Sequence, residues 1–441
     1  MPEDNIAEIS FNNELIDKIN SDDYIKAVTE LGDTKEMVTS EDVMTRTLHK
    51  LVSKGTQIDS SFYDKLIQHK LLKPLDRSVI ISNGINTDSL VAEAMTMMNR
   101  DKRFNYMFMK YGDLPLQLMR NVHLENQISL KITIIKQAMP RLFKHMIQTA
   151  LLALYIGLKD GLKNKELIQL ITASILHDIS ELHINPDLQN PEYKMSDEDW
   201  TQVYAHPIVS FLILREFPVY NTSISNIVLE HHEKLDGSGY PRGKLVDEIS
   251  KAGQILAVAD TISALLEKGC LCDEIEAKIS MNQGQYNTKY LYTVISALKS
   301  TAHYEDTETK AYTLKRVDEK LGLVGKIIQE WHDIFHKLTE QQKNQLLIDT
   351  INKRIKYIQM QLIGSGLDTE QLDQIYILLG EETGEWLHDT NSISNEAIFQ
   401  LSTTVKEAKR NWPEYNAPHK ARSLGEYLST WMSDTEQCIN S

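Results

Sequence analysis

The spacing of apolar residues is the sequence feature that most limits how this chain can fold. Along most of its 441 residues, apolar side chains recur at intervals of three or four positions, which is the period of one face of an α-helix. Glycine and proline, which interrupt helices, occur only 19 and 11 times. The pattern therefore predicts an all-α protein in which strands are few and confined to the N-terminal part.

The length of the chain and the distribution of its motifs suggest several domains. A chain of 441 residues exceeds one ordinary hydrophobic core, and this length favours roughly two to four domains. We predict an N-terminal module over residues 1–125, a helical bundle over 126–308 and a C-terminal helical region over 309–441. The N-terminal module could be a lid, a dimerisation surface or a sensor.

The local patterns give each region its expected elements. In the N-terminal module they predict helices over Asp42–Lys54 and Ser60–Lys70 and a strand over Ser78–Ser82. In the bundle they predict five helices, with breaks at Pro186, Pro207 and Pro218. These five helices span Leu142–Leu158, Asn164–His177, Pro207–Phe217, Ser223–Leu235 and Ile249–Lys268.

The C-terminal region carries amphipathic helices and no motif of chemical interest. The predicted helices span Leu314–Leu338, Glu340–Ile363, Asp368–Glu385 and Ser394–Arg410. The tail, Asn411–Ser441, is polar enough to be partly loose. We expect this region to bind a signalling protein or a second copy of the chain.

Charge and cysteine content limit the classes of partner and the compartment. With 62 acidic and 47 basic residues, the formal charge is −15, which argues against general binding to nucleic-acid polymers or membrane surfaces. Three poorly spaced cysteines do not form a disulfide framework. No stretch approaches about 18 apolar residues, and the first 20 residues do not have the pattern of a signal peptide. We therefore expect a cytoplasmic protein without a membrane span.

Residues 231–243, HHEKLDGSGYPRG, carry the strongest chemical signal. Two adjacent imidazoles precede a loop with three glycines, which combines potential metal ligands with a backbone that allows close approach. His177 and Asp178 end an apolar helical segment, and Asp260 lies amid apolar residues, where a carboxylate would be costly unless paired or metal-bound. The full candidate set is His145, His177, Asp178, His206, His231, His232 and Asp260.

The His177-Asp178 dipeptide and the Gly-Tyr-Pro segment at 239–241 resemble the HD-GYP family of metal-dependent phosphohydrolases, over roughly residues 130–300. The resemblance implies an HD-domain helical bundle with two divalent metal ions, Fe or Mn being favoured and Zn, Co or Ni also suitable. It implies that Asp178 bridges the two ions. One ion would be held by His145, His177, Asp178 and Asp260, and the other by Asp178, His206, His231 and His232.

The chain also departs from the family pattern at the positions expected to contact substrate. Three residues after Asp178 the family usually has a lysine that touches phosphate, whereas this chain has Glu181. We assign Glu181, with Asp178, to catalysis, through orientation of water, metal ligation or pairing with a cation. An arginine-containing segment of the family is missing after Asp260, and Lys268 is a weak substitute. Arg141 stands where some members have a glutamate for a third metal, so we predict two metals.

The resemblance implies a cyclic di-GMP phosphodiesterase that yields pGpG or GMP. A hydroxide bridging the two ions would attack phosphorus, and Tyr240, Arg242 and Lys268 are the predicted substrate contacts. Two alternatives stay open at this point. One is a nucleotide sensor or protein adaptor with weakened catalysis, and the other is a phosphohydrolase for a different nucleotide.

Overall fold

A computed structural model describes residues 19–189, 193, 195–270, 272–280, 282, 284–302, 314–367, 384–411 and 424–440. The chain folds into two compact units. The first comprises the described parts of Met1–Gly269 and Gly284–His303, and the second those of Cys270–Gln283 and Tyr304–Ser441. The division into three domains at residues 125 and 308 stays a prediction.

The described residues are mainly helical, which confirms the predicted all-α class. No described helix combines the length and apolar character that crossing a bilayer requires. The helices of the first unit are α1 (Asp22–Gly32), α2 (Tyr63–Ile67), α3 (Thr87–Arg100), α4 (Lys102–Phe108), α5 (Leu114–Met119), α6 (Asn126–Ala138), α7 (Pro140–Lys159), α8 (Asn164–Leu176), α9 (Asp197–Arg215), α10 (Thr222–Glu230), α11 (Lys251–Glu267) and α13 (Thr288–Ala302). Those of the second unit are α12 (Cys272–Ser280), α14 (Leu314–Lys337), α15 (Glu340–Lys343), α16 (Leu346–Gly364), α17 (Gly384–Asn411) and α18 (Leu424–Asn440).

The strands of the described residues all lie in the N-terminal part, as predicted. Strand β1 (Met37–Thr39) pairs antiparallel with β4 (Val79–Ile81), so the strand expected over Ser78–Ser82 is confirmed. Strands β2 (Val43–Met44) and β3 (Lys50–Val52) also pair antiparallel.

The helix predicted over Asp42–Lys54 is therefore wrong. Its apolar spacing resembles a helix, but Leu48 has φ = 62° and turns the chain back on itself. The β-branched residues Val43 and Val52 pair across the resulting hairpin and are buried. Packing of the strands outweighs the local helical pattern.

Helix α7 is the centre of the first unit and packs most extensively on α8 and α11. Its residues from Met146 to Ile156 are buried on all faces, because other helices surround it. The predicted helices around α7, α8 and α11 agree with the structure to within two residues at each end. Helix α10 ends at Glu230, five residues before the predicted end at Leu235.

Helix α9 differs from its prediction, because it begins at Asp197 and passes through Pro207 rather than starting there. Ser196 caps its first turn by accepting a hydrogen bond from the amide of Asp199 at 3.2 Å. Proline removes the amide that would bond to the carbonyl of Val203, four residues earlier. That carbonyl accepts from Nδ1 of His206 at 2.6 Å instead, so the helix continues without an unsatisfied acceptor.

The second unit has its own apolar core, built on the ring contact between Trp331 and Trp431, whose centroids are 4.9 Å apart. The predicted helices over Leu314–Leu338, Glu340–Ile363 and Ser394–Arg410 are present, the second divided after Lys343. Most of the helix predicted over Asp368–Glu385 lies outside the described residues.

Within the tail predicted to be partly loose, residues 424–440 form α18, and residues 412–423 lie outside the described residues. Leu428, Trp431 and Met432 recur at helical spacing on this helix and are buried, which gives it a face to pack on the core. The prediction missed this apolar face because the tail is polar in its overall composition.

Candidate metal centre

The structure brings all seven predicted ligands together inside the first unit. Six are buried and His232 is partly exposed. His145 lies on α7, His177 and Asp178 directly follow α8, His206 lies within α9, His231 and His232 directly follow α10, and Asp260 lies within α11.

Two groups of side chains each place ligand atoms close enough to share an ion. The first group is His145, His177 and Asp260, and the second is His206, His231 and His232. Within each group the candidate ligand atoms all lie within 4.8 Å of one another. Imidazole nitrogen with carboxylate oxygen is a donor set that suits first-row divalent ions.

Asp178 lies between these two groups and faces both. Its Oδ2 atom is 3.1 Å from Nε2 of His177 and 3.9 Å from Nε2 of His145. Its Oδ1 atom is 3.3 Å from Nε2 of His206 and 3.5 Å from Nε2 of His231. Each oxygen of this carboxylate therefore faces a different group, which is the arrangement that a carboxylate bridging two ions requires.

Backbone carbonyls determine which nitrogen of three histidines faces the centre. The Nδ1 atoms of His177, His206 and His231 lie 2.8, 2.6 and 2.5 Å from the carbonyls three residues earlier. For His177 and His231 these carbonyls belong to the last turn of a helix, where backbone carbonyls are not fully used by the helix itself. In the neutral ring, donation by Nδ1–H leaves Nε2 unprotonated and directed at the centre, the form that binds a metal.

His145 is oriented by a different set of partners, which the sequence interpretation missed. Its Nδ1 atom is 3.2 Å from Oε1 of Glu267 and 3.1 Å from Oγ of Ser263, while its Nε2 atom lies 2.9 Å from Oδ1 of Asp260. Ser263 and Glu267 stand three and seven residues after Asp260, on the same face of α11. That spacing is the signal that could have identified them.

Two observations show that the residues present fit metal ions. Nε2 of His177 and Oδ1 of Asp178 are buried without a hydrogen-bond partner, although buried polar atoms normally have one. In addition, Nε2 of His206 lies 3.0 Å from Nε2 of His231, while the opposite nitrogen of each ring faces a carbonyl. Two facing lone pairs at this distance repel each other unless a cation or a proton lies between them.

The charges of the site are consistent with cation binding. Burial opposes ionisation of Asp178 and Asp260, but neighbouring histidines outweigh it and hold the pKa of both carboxyls well below their usual range. Burial also disfavours charge on His177, yet Asp178 and Asp260 raise the pKa of His177 to about 10. Burial and neighbouring imidazoles lower the pKa of His231 and His232, which favours their neutral, metal-binding form. The carboxylates thus attract positive charge, which divalent ions can supply.

Glu181 lies beside this centre in a 3-10 turn, Ile179–His183, rather than on a continuation of α8. The amide of Glu181 donates to the carbonyl of Asp178 at 2.9 Å. In a 3-10 turn, side chains three residues apart are aligned, so Glu181 and Asp178 share one side of the turn. Burial and the charge of Asp178 raise the pKa of Glu181 to about 7. Its predicted catalytic role stays a prediction.

The glycine loop is fixed by Glu233 and contacts the histidines through Tyr240. The two carboxylate oxygens of Glu233 accept from the amides of Arg242 at 2.8 Å and Lys244 at 2.9 Å. At Gly239 an added Cβ would lie 2.2 Å from the amide nitrogen of Lys234, so only glycine fits this close approach. Glu233 therefore acts as the loop's main brace.

The three predicted substrate contacts lie in different environments. The Tyr240 ring centroid is 4.7 Å from that of His232, which places it at the edge of the centre. The Arg242 side chain is 4% exposed and lies 3.4 Å from Glu230 and 3.6 Å from Glu233, so its charge is paired with these two carboxylates. Lys268 is exposed directly after α11. A substrate contact by any of them stays a prediction, and the geometry of Arg242 does not support one.

Comparison with known proteins shows what the region around the site is similar to. The model of the HD domain matches residues 129–290, a range that contains every candidate ligand. Among curated relatives, 3′3′-cGAMP-specific phosphodiesterase 3 of Vibrio cholerae is 34% identical over 119 residues, covering 27% of this chain and 25% of that protein. Cyclic di-GMP phosphodiesterase PdeB of Borreliella burgdorferi is 30% identical over 122 residues, covering 28% and 32% respectively.

The similarity is confined to the central region. A cyclic di-GMP phosphodiesterase of Thermotoga maritima is 30% identical over 127 residues, covering 28% of this chain and 34% of that protein. The chain thus spans about a quarter to a third of these relatives' length. Among solved structures, Bd1817, a HDG"Y"P protein from Bdellovibrio bacteriovorus, has a TM-score of 0.35 and 14% identity, covering 61% of this chain and 98% of that chain. The match of the HD-domain model and the curated relatives confirms the resemblance of residues 129–290 to HD-GYP phosphohydrolases.

Proposed function

We propose that this protein is a phosphodiesterase that uses two metal ions to hydrolyse a cyclic dinucleotide, cyclic di-GMP or 3′3′-cGAMP. The position of Asp178 between two groups of ligands carries this proposal. Curated relatives that are similar over part of this chain are named for these two substrates, which supports the substrate class. The metal is Fe or Mn in our proposal, and Zn, Co and Ni are the alternatives that the ligands also accommodate.

The chain's own residues position and balance the site. Two bound divalent ions would supply a hydroxide nucleophile and neutralise the charge of the substrate phosphate. Asp178 and Asp260 provide negative charge, and the carbonyl contacts of His177, His206 and His231 keep their ligand nitrogens directed inward. We assign Glu181 to orienting the attacking water, because its carboxyl lies on the same side of the turn as Asp178.

The test is hydrolysis of a panel of nucleotides by the purified full chain with each candidate metal. Asp178→Asn should abolish turnover and lower bound metal, because it removes the charge shared by both groups of ligands. Asp64→Asn changes an exposed aspartate on α2 and serves as the matched control. Hydrolysis by Asp178→Asn at the rate of the control would contradict the proposal.

A specific observation also favours the sensor or adaptor alternative. Glu181 places a partly buried carboxyl where the HD-GYP pattern has a phosphate-binding lysine, and a carboxylate repels phosphate. If catalysis depends on Glu181, then Glu181→Gln lowers turnover while metal content stays constant. If the protein is a sensor, the wild type binds a cyclic dinucleotide without hydrolysing it, and Glu181→Lys tightens that binding.

We further propose a cytoplasmic location and a signalling partner or second copy of the chain bound to the C-terminal helices. The acidic composition and the separate apolar core of the second unit support these proposals. Sedimentation of the purified full chain over a range of concentrations tests self-association. A monomer at all concentrations would leave the signalling protein as the proposed partner.

A further inference from the structure

A cavity with a basic rim lies in the first unit, away from the candidate metal centre. Its volume is about 690 Å³, within the range of sites for small molecules. Helices α4, α7 and α13 and the turn Met109–Tyr111 line it. Helix α7 carries both His145 and Lys159, and 14 residues of helix separate them by about 21 Å.

Two lysines at this cavity stand next to each other without an acidic partner. Lys110 and Lys159 both line the cavity and are exposed, and neither forms an ion pair with a carboxylate among the described residues. Their ammonium groups lie over the rings of Tyr111 and Tyr155 respectively. Partial burial and the adjacent ammonium of Lys110 lower the pKa of Lys159. In a chain of charge −15, two adjacent ammonium groups without a counter-charge form a local site for an anion.

The neighbouring charges increase this positive potential. Lys289 also lines the cavity, and its Nζ atom is 2.5 Å from Oδ1 of Asp160. The other oxygen of Asp160 is 2.5 Å from Nζ of Lys251. The carboxylate of Asp160 therefore pairs with Lys289 and Lys251 and does not neutralise Lys110 and Lys159.

Aromatic and hydroxyl groups complete the lining. Tyr106 is 44% exposed and Tyr292 is 49% exposed, although tyrosine rings usually pack when a partner is present. Both rings offer faces on which a planar base can stack. Thr293 and Ser296 on α13 add hydroxyl groups at the same cavity. Ammonium groups beside free aromatic faces are the combination that recognises a phosphate attached to an aromatic ring.

We propose that this cavity binds a nucleotide, with its phosphate at Lys110 and Lys159 and its base against Tyr106 or Tyr292. The site is additional to the substrate site at the metal centre and does not depend on the proposed hydrolysis. An acidic peptide would use the lysines without needing the tyrosine faces, and the two ligands are therefore distinguishable by experiment.

The test is calorimetric titration of the full chain with GMP, AMP and inorganic phosphate. The double variant Lys110→Met/Lys159→Met removes both unpaired charges and should weaken nucleotide binding about tenfold or more, because charge-assisted contacts are lost. Lys326→Met/Lys353→Met is the matched control, since both lysines are exposed on helices of the second unit. Tyr292→Ala should weaken binding of GMP or AMP but not of phosphate.

A metal-site variant separates this cavity from the centre. In His231→Ala/His232→Ala, nucleotide binding that still requires Lys110 and Lys159 would support the proposal. Binding that disappears in this variant but survives in the lysine variant would overturn it. Equal binding of a polyglutamate peptide, unaffected by Tyr292→Ala, would overturn the assignment to a nucleotide. Circular dichroism spectra identical to wild type verify that each variant is folded.

Discussion

A buried ion pair joins the N-terminal part of the chain to the central region, and removal of one partner should be strongly destabilising. Nζ of Lys131, on α6, is 2.7 Å from Oδ2 of Asp76, and both side chains are only 4% exposed. The hydroxyl of Tyr24 also lies 3.2 Å from this carboxylate. Nζ of Lys131 is in addition 3.0 Å from Nε2 of His183, the last residue of the turn that follows Asp178.

Replacement of Lys131 by methionine would leave the carboxylate of Asp76 buried, with Tyr24 as its only side-chain partner among the described residues. Breaking a buried pair in this way costs about 3–5 kcal/mol of unfolding free energy, because an uncompensated charge remains. Lys131→Met/Asp76→Leu removes both charges and should recover most of this loss, since apolar replacements of buried pairs are often neutral.

The assay measures urea unfolding through pulsed hydrogen exchange of peptides from α6, and this probe reports on the first unit alone. Lys136→Met is the matched control, because Lys136 lies on the same helix and pairs with Glu93 at the surface. Exposed pairs contribute about 0–1 kcal/mol. A loss of less than about 1 kcal/mol for Lys131→Met, equal to that of the control, would refute the reasoning.

Three further predictions concern the site, acid stability and the second unit. Glu267→Gln should weaken metal affinity about 10- to 100-fold in a metal titration, because it removes the carboxylate that orients His145; unchanged affinity would contradict that role. Burial and Lys131 hold the pKa of His183 well below its usual range. As pH falls below about 6.5, the imidazole of His183 is therefore protonated only in the unfolded chain. Below that pH, the unfolding free energy of the wild type should therefore fall more steeply than that of His183→Asn, by up to about 1.4 kcal/mol per pH unit. Parallel curves of unfolding free energy against pH for the two proteins would exclude the effect. Trp431→Ala should lower the unfolding free energy of the second unit by about 3–5 kcal/mol in urea, because Trp431 is only 2% exposed in its core. A loss below about 1 kcal/mol would show that the core does not depend on Trp431.

Much of the helical structure could be predicted because helix formation follows a local period. Helices α7, α8 and α11 each have several turns of apolar residues at three- and four-residue spacing, and their ends lie close to the predicted ones. The hairpin of β2 and β3 could not be predicted in this way. Its strands are two and three residues long, and their pairing depends on partners across the turn.

The candidate ligands were also identified from the sequence, because their order and spacing resemble the HD-GYP pattern and a carboxylate such as Asp260 amid apolar residues is costly without a partner. The sequence by itself determined which residues are candidates and the helices that carry most of them. It did not determine that Oδ1 and Oδ2 of Asp178 face different groups, or that Glu267 orients His145. His145 and Glu267 are 122 residues apart in the chain, and only the packing of α7 on α11 brings them into contact. The tertiary structure decided these features because ligand geometry depends on distances between helices, whereas sequence periodicity specifies positions along a single helix.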